Sequence, residues 1–236
     1  HTPHGIIDTP GFVAVATNAA LKGVDFRDAD KANQQLVFAN TYHLLLHPGV
    51  DIIAEAGGIH QWTKRNAPFI TDSGGFQVFS LAYGSVHEEL TSKGELKRAS
   101  AKSNKGNWNS DVVGENAVKV SEEGVYFRSY RDGSMFLLTP ETTVQAQKKI
   151  GADIIIPLDE LPGYYVDRER LVESVDRTHR WEARSLAEHL KNLNQQAMYC
   201  VVHGGVNKEL RKKSVDYLTS LPFDGYGIGG SLGNGR

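Results

Sequence analysis

The sequence predicts an α/β fold with a mostly parallel sheet, either open or closed into a (β/α) barrel, and three observations carry that prediction. First, six short apolar runs each lead into a polar or glycine-rich turn: Gly11–Ala16, Leu36–Ala39, Phe69–Thr71, Asp153–Leu158, Ala197–Val202 and Gly225–Ile228. Continuous apolar runs of this length suit strands buried on both faces. Second, stretches of helical character separate most of them, and strand alternating with helix is the pattern of βα units. Third, one region alone breaks the rhythm, residues 82–138, and it reads as an insertion. About six βα units are present; a closed barrel needs eight.

The elements follow in order. After the strands Gly11–Ala16 and Leu36–Ala39 comes a short helix over Val50–Gly57, with Gly58 as its cap. Phe69–Thr71 is the third strand. Residues 81–117 are polar, and Thr91–Asp111 sets Lys93, Lys97, Arg98, Lys102 and Lys105 against Glu95 and Asp111. A loop this long is functional or unstructured. Val118–Leu138 alternates apolar and polar residues, with turns at Glu123-Gly124 and Asp132-Gly133, and predicts an antiparallel meander. Thr139-Pro140-Glu141 starts a helix: Thr139 is the N-cap, Pro140 takes the first helical position and Glu141 faces the positive end of the dipole. That helix runs to Ile150 and stops at Gly151. Two further helices are expected over Asp167–Leu193 and Lys208–Leu218.

Composition narrows the class. The chain has 236 residues, 40% apolar and 23% charged, enough for a substantial core. A net charge of −2 gives no global pull toward a polyanion, although a local basic face stays open. The single cysteine, Cys200, excludes an intrachain disulfide and a multi-cysteine zinc site, and suits a reducing compartment. No apolar run approaches the ~20 residues needed to cross a bilayer. His1-Thr2-Pro3-His4-Gly5 lacks a signal pattern, and Leu232-Gly233-Asn234-Gly235-Arg236 ends in a glycine-rich loop. The expectation is a single, partial barrel domain from a longer protein.

The strand ends carry the chemistry. Phe69–Thr71 delivers Asp72, the apolar run Ile154–Leu158 delivers Asp159 and Glu160, Val202 delivers His203-Gly204-Gly205, and Ile228 delivers Gly229-Gly230. In barrels the catalytic groups lie at such ends, on one face. Each residue has a structural explanation when taken alone. Asp72 suits a turn cap, His203 a satisfied core histidine, the glycines tight packing and the lysine-rich loop a solvated excursion. Together they predict two carboxylates, a histidine and two glycine pairs on one rim, with the turn Asp72-Ser73-Gly74-Gly75-Phe76 at its centre. A carboxylate accepts two parallel hydrogen bonds, which matches the N1–H and amine of guanine. Glycine amides or a histidine supply a donor for O6, and Phe76 offers a face for stacking.

The runs Thr2–Gly5, Asn40–Leu44, Thr71–Val78, Glu123–Val125, Asp132–Ser134 and Gly227–Gly230 resemble, in order and spacing, the tRNA-guanine transglycosylases, also called queuine tRNA-ribosyltransferases. The resemblance implies a (β/α)8 barrel of the TIM type and a cytoplasmic, usually homodimeric enzyme. Its expected activity is exchange of wobble-position guanine in the anticodon loop of tRNA for queuine or a 7-deazaguanine precursor, by double displacement through a covalent ribosyl-aspartyl intermediate. By resemblance Asp72 is the general acid/base, Asp159 binds the guanine edge, Gly229 and Gly230 lie in the base-binding loop, Phe76 stacks and Ser73 contacts base or ribose. His203 stands where the family has a base-contacting glutamine. The lysines of the excursion are expected contacts for tRNA phosphates. The family's nucleophilic aspartate and its structural zinc site, C-x-C-x-x-C with a later histidine, are expected beyond Arg236, so these residues alone are expected to bind no zinc and to be inactive. Two other functions fit the residues: a non-catalytic tRNA-binding partner subunit of the same family, and a barrel glycosidase with Asp72 and Asp159 as its carboxyl pair.

Overall fold

The computed structural model describes residues 1–83, 112–113, 118–163 and 166–230. Six parallel strands form the main sheet: β1 (Val13–Val15), β2 (Leu36–Ala39), β3 (Phe69–Thr71), β8 (Ile154–Ile155), β9 (Ala197–Val202) and β10 (Gly225–Ile228). Each strand is added beside its predecessor in the chain, so the sheet curls as a half-barrel with β1 and β10 at its edges. This is the α/β architecture the alternation predicts, an incomplete TIM-type barrel. Val15, Tyr226 and Ile228 on the two edge strands are exposed, as edges that would be paired in a closed barrel are.

A second sheet holds the inserted meander, β4 (Val112–Val113), β5 (Val118–Val120), β6 (Val125–Arg128) and β7 (Met135–Leu138), all antiparallel. Gly124 makes its turn possible, because a Cβ there would lie 2.1 Å from the Leu138 carbonyl oxygen. Lys93, Lys97, Arg98, Lys102 and Lys105, the basic part of the insertion, lie outside the described residues.

Eight helices are described: α1 (Phe26–Lys31), α2 (Thr41–Leu46), α3 (Val50–Glu55), α4 (Ile59–Thr63), α5 (Gly75–Tyr83), α6 (Pro140–Ile150), α7 (Arg168–Lys191) and α8 (Lys208–Leu218). Helix α6 forms as its sequence predicts. Thr139 and Thr142 cap it reciprocally, and Gly151 ends it in the left-handed region at φ 78°. Asp167 and Asn207 cap α7 and α8 through their side chains. Helices α1, α2, α4 and α5 are not predicted by periodicity, because five to nine residues span too few turns to show it.

The outer face of the sheet packs on the helices. Met198, Cys200 and Val202 of β9 join Val144 of α6, Leu186 of α7 and Leu218 of α8 in one buried cluster. Alternation along the strand therefore turns Tyr199, Val201 and His203 to the inner face. The meander seals against α2 and α5 through Tyr42, Val78, Phe79, Phe127 and Leu138, with Trp181 of α7. The Trp181 indole donates to the Glu122 carbonyl at 3.0 Å.

The run Asp153–Leu158 corrects one expectation, since only Ile154–Ile155 is strand. The next residue has its backbone bonded elsewhere. Ile156 N–H donates to Gln147 Oε1 at 3.0 Å, and Gln147 Nε2 donates to the Ile156 carbonyl at 2.8 Å. Pro157 then has no N–H to give a ladder.

Below β8 lies a buried hub. Asp153 Oδ1 meets His4 N–H at 3.2 Å and His4 Nδ1 at 2.8 Å; Oδ2 meets Phe69 N–H at 2.9 Å and His60 Nε2 at 3.1 Å. The ligand-type atoms of His4, His60 and Asp153 lie within 4.8 Å of one another. Both carboxylate oxygens already take two donors, so the arrangement is a satisfied hydrogen-bond network. Burial pushes the Asp153 carboxyl up, but the bonds from His60, the Phe69 amide and His4 outweigh it and hold the group well below the usual carboxylate range. Its folded pKa is depressed, so its contribution to stability is complete above about pH 4 and is lost as pH falls through the folded value. Asp153→Asn, which puts an amide among four donors, is expected to cost on the order of 3 kcal/mol at neutral pH. Denaturant unfolding measures this, and a loss below about 1 kcal/mol would count against the hub.

Among the described residues no helix is long and apolar enough to cross a membrane.

Candidate active site

The site is assembled where β3, β8, β9 and β10 end. In-register pairing of Ala39 with Thr71, Thr71 with Ile155, and Val202 with Ile228 aligns those ends. The residues that follow therefore share one rim.

Asp72 follows β3 and is buried, 8% exposed. Its Oδ1 accepts from the Thr41 backbone N–H at 2.8 Å, and its Oδ2 accepts from Asn40 Nδ2 at 3.1 Å. Burial pushes its carboxyl up to about 6; bonds from Thr41, Asn40 and Gln77 oppose that rise, and the Asp159 charge adds to it. A carboxyl group poised near neutrality can both give and take a proton at physiological pH.

The turn after Asp72 needs its glycines. Gly74 has φ 85°, and a Cβ on it would lie 3.0 Å from Tyr42 N. A Cβ on Gly75 would meet Leu158 Cδ1 at 2.9 Å and the Asp159 carbonyl oxygen at 3.2 Å. The turn is thus pressed directly onto the segment that carries Asp159. Ser73 is buried, and its Oγ accepts from the Gly75 N–H at 3.2 Å. Phe76, in the first turn of α5, is 51% exposed and leaves its ring open to a ligand.

Asp159 meets His203 across the site, with His203 Nε2 at 2.8 Å from Asp159 Oδ2. The His203 side chain is 3% exposed and that of Asp159 18%. An ionised carboxylate accepts only, so this contact selects the ring tautomer that carries hydrogen on Nε2. Gly229 and Gly230 close the group from β10. A Cβ on Gly229 would lie 2.2 Å from Val201 Cγ1, and one on Gly230, where φ is 72°, would lie 3.1 Å from His203 Nδ1. The Gly229 N–H donates to the Val202 carbonyl at 3.1 Å.

All seven residues singled out from the sequence, Asp72, Ser73, Phe76, Asp159, His203, Gly229 and Gly230, therefore lie on this rim. A cleft of about 250 Å³ opens beside His203, Gly204, Gly205 and Gly230. A larger cavity of about 680 Å³ lies away from this rim, against Ile70, Asp153, Ile154 and Tyr199. Its walls also include the N-terminal segment from Ile7 to Val13, Gln35 and Gln195.

Asn40 and Thr41 hold Asp72, a role that their local sequence does not announce. The signal for it is position: Asn40 directly follows the apolar run Leu36–Ala39, at a strand end like the one that carries Asp72. Thr41 Oγ1 and Gln77 Oε1 are buried in this corner without a hydrogen-bond partner. Such atoms retain bonding capacity for a ligand. Glu160, next to Asp159, is fully buried and ion-paired with Arg170 and Arg177, the latter at 2.8 Å. It anchors the segment and is not presented to the site.

The family model described as queuine tRNA-ribosyltransferase matches residues 1–101 and 104–236. A protein named queuine tRNA-ribosyltransferase from Protochlamydia amoebophila (strain UWE25) is 57% identical over 233 residues, covering 99% of this chain and 56% of that protein. One of the same name from Chlamydia caviae is 53% identical over 232 residues, covering 98% of this chain and 57% of that protein. The chain spans little more than half the length of these relatives. With the model matched along nearly its whole length, the chain belongs to the queuine tRNA-ribosyltransferase family.

Proposed function

We propose that the protein containing this chain is a tRNA-guanine transglycosylase, which exchanges wobble-position guanine in the anticodon loop for queuine or a 7-deazaguanine precursor. The observation that carries this is the Asp159–His203 pair, set 2.8 Å apart beside Gly230 and backed by the Asp72 turn. Asp159 supplies the two acceptors that the N1–H and amine of guanine require, His203 Nε2–H holds that carboxylate in place, and a backbone amide of the neighbouring glycine pairs supplies the donor for O6. Phe76 gives the base a face to stack on.

The mechanism follows from what each group can hold. Asp72 carries the proton that the departing guanine needs, and then accepts the one that the incoming base releases. By the family resemblance, the attack on ribose C1′ belongs to an aspartate outside these 236 residues. Double displacement through a ribosyl-aspartyl intermediate divides one difficult substitution into two easier ones. These residues alone are expected to be inactive. The family's structural zinc does not fit the residues present: Cys200 is the single cysteine and is fully buried, with its thiol pushed up to about 12 by burial and by Glu182. A cytoplasmic homodimer is the expected setting of the full-length enzyme.

The test is incorporation of labelled guanine into tRNA that bears guanine at the wobble position, by the full-length protein. Turnover is the expected result. Binding of that tRNA without incorporation would favour a non-catalytic partner subunit and overturn the proposal.

A further inference from the structure

The strands that carry Asp159 and His203 separate before they reach those residues. β8 pairs with β9 only at Ile154↔Ala197 and Ile155↔Met198. Beyond that point β9 keeps β10 on one side, as far as Val202↔Ile228, while the chain after β8 turns away. The separation makes room for Asp159 and His203 to face each other. It also leaves backbone N–H groups at the parting ends, and a buried donor without an acceptor is rarely tolerated.

Helix side chains take those donors. Thr178 Oγ1 accepts from Glu160 N–H at 3.0 Å, Glu182 Oε1 from Val201 N–H at 2.9 Å, and Ser214 Oγ from His203 N–H at 3.1 Å. Thr178, Glu182 and Ser214 are all fully buried. A carboxyl group on the core side of an amphipathic helix is costly unless something there needs it. Glu182 has one oxygen on Val201 and the other, Oε2, buried without a partner. Ser214 is shared further, with His179 Nε2 at 3.0 Å from its hydroxyl.

We infer that Glu182 and Ser214 are positioning residues of the base site: they replace the sheet hydrogen bonds that β8 and β9 forgo, and so hold His203 against Asp159. Glu182 acts through Val201, two residues before His203, whose side chain also bounds the space at Gly229. Ser214 acts on the His203 backbone itself. The titratable groups that face Glu182 are Asp159, in the segment that follows β8, and Cys200, on β9. Both are acids, so neither favours its ionised form. Burial holds its carboxyl well above the usual range.

The inference rests on the transglycosylase reading for its kinetic test. In the full-length protein, guanine KM and kcat at saturating tRNA are measured for Ser214→Ala, Glu182→Ala and Glu182→Gln. Ser214→Ala and Glu182→Ala are expected to raise guanine KM about tenfold, the scale of one hydrogen bond, with kcat held within about threefold. Glu182→Gln keeps the acceptor for Val201 and is expected to bring KM back to within about twofold of the parent. Unchanged guanine KM in both alanine variants, whatever their Tm, overturns the inference. A rise that Glu182→Gln shares removes Glu182 from the set. If Glu182→Ala does not fold, Ser214→Ala decides by the same thresholds. No exchange by the parent enzyme refutes the transglycosylase reading instead. The inference is then decided by the ¹⁵N shifts of the His203 ring: a change at Nε2 in Ser214→Ala supports it, and identical shifts overturn it.

Discussion

Asp159→Ala in the full-length protein is expected to abolish guanine exchange into tRNA. The side chain is the acceptor pair for the base, and it also holds the Nε2–H tautomer of His203 through the 2.8 Å contact. Truncation removes the acceptors and frees the His203 ring to rotate or change tautomer, so the wall of the base site is lost with them. Losing one partner of a buried, charged hydrogen-bonded pair costs ~2–5 kcal/mol or more, which is roughly 30-fold to a few thousandfold or more in kcat/KM. Asp159→Asn should fare little better, because an amide places a donor against a donor on guanine or on His203. Fold retention is checked by unfolding, and steady-state exchange kinetics measure the effect. A nearly normal exchange rate in Asp159→Ala would sink the assignment of base recognition.

The second large effect is expected at Asp72. Asp72→Asn keeps the size of the side chain and an oxygen for the Thr41 amide, but cannot transfer a proton. General acid–base catalysis contributes roughly 10²- to 10⁴-fold, and kcat should fall by that factor. The pH dependence gives a sharper test. With the carboxyl near pH 6, the protonated form needed for departure of guanine declines above about that pH, so kcat/KM for tRNA should fall on the alkaline side. The ionised form needed by the incoming base declines below it, so the second half-reaction should weaken on the acid side. Both limbs should vanish in Asp72→Asn. Profiles that keep their breaks near pH 6 in the variant would assign the titration to another group.

The two roles were not equally visible before the tertiary structure. That strand ends load one rim follows from apolar runs and the residues after them, and Asp72, Asp159, His203 and Gly229-Gly230 were read in that way. Their assembly into pairs was not legible. Thr41 lies 31 positions from Asp72, and Asp159 lies 44 from His203. Nothing local in either segment encodes the other. The buried polar side chains of α7 and α8 were missed for the same reason. On a helical wheel Thr178, Glu182 and Ser214 look like interruptions of an apolar stripe, and they make sense only beside the unpaired backbone at the ends of β8 and β9. The shortened β8 is a similar case, since Gln147 on α6 takes over the backbone of Ile156.

The Asp72-Ser73-Gly74-Gly75-Phe76 turn shows where the division falls. Its sequence alone determined a glycine-dependent turn after a buried strand, just as Thr139, Pro140 and Gly151 determined the limits of α6. Such features are set by backbone dihedrals and by hydrogen bonds between residues two to four apart. The α/β alternation was likewise carried by local apolar pattern. What only the tertiary structure decided was the state of the groups. Burial lifts Asp72 to about 6 against the bonds from Thr41 and Asn40, and His203 across the rim gives Asp159 its partner. Desolvation and long-range pairing set a carboxyl group's chemistry, and both depend on which segments the fold brings together.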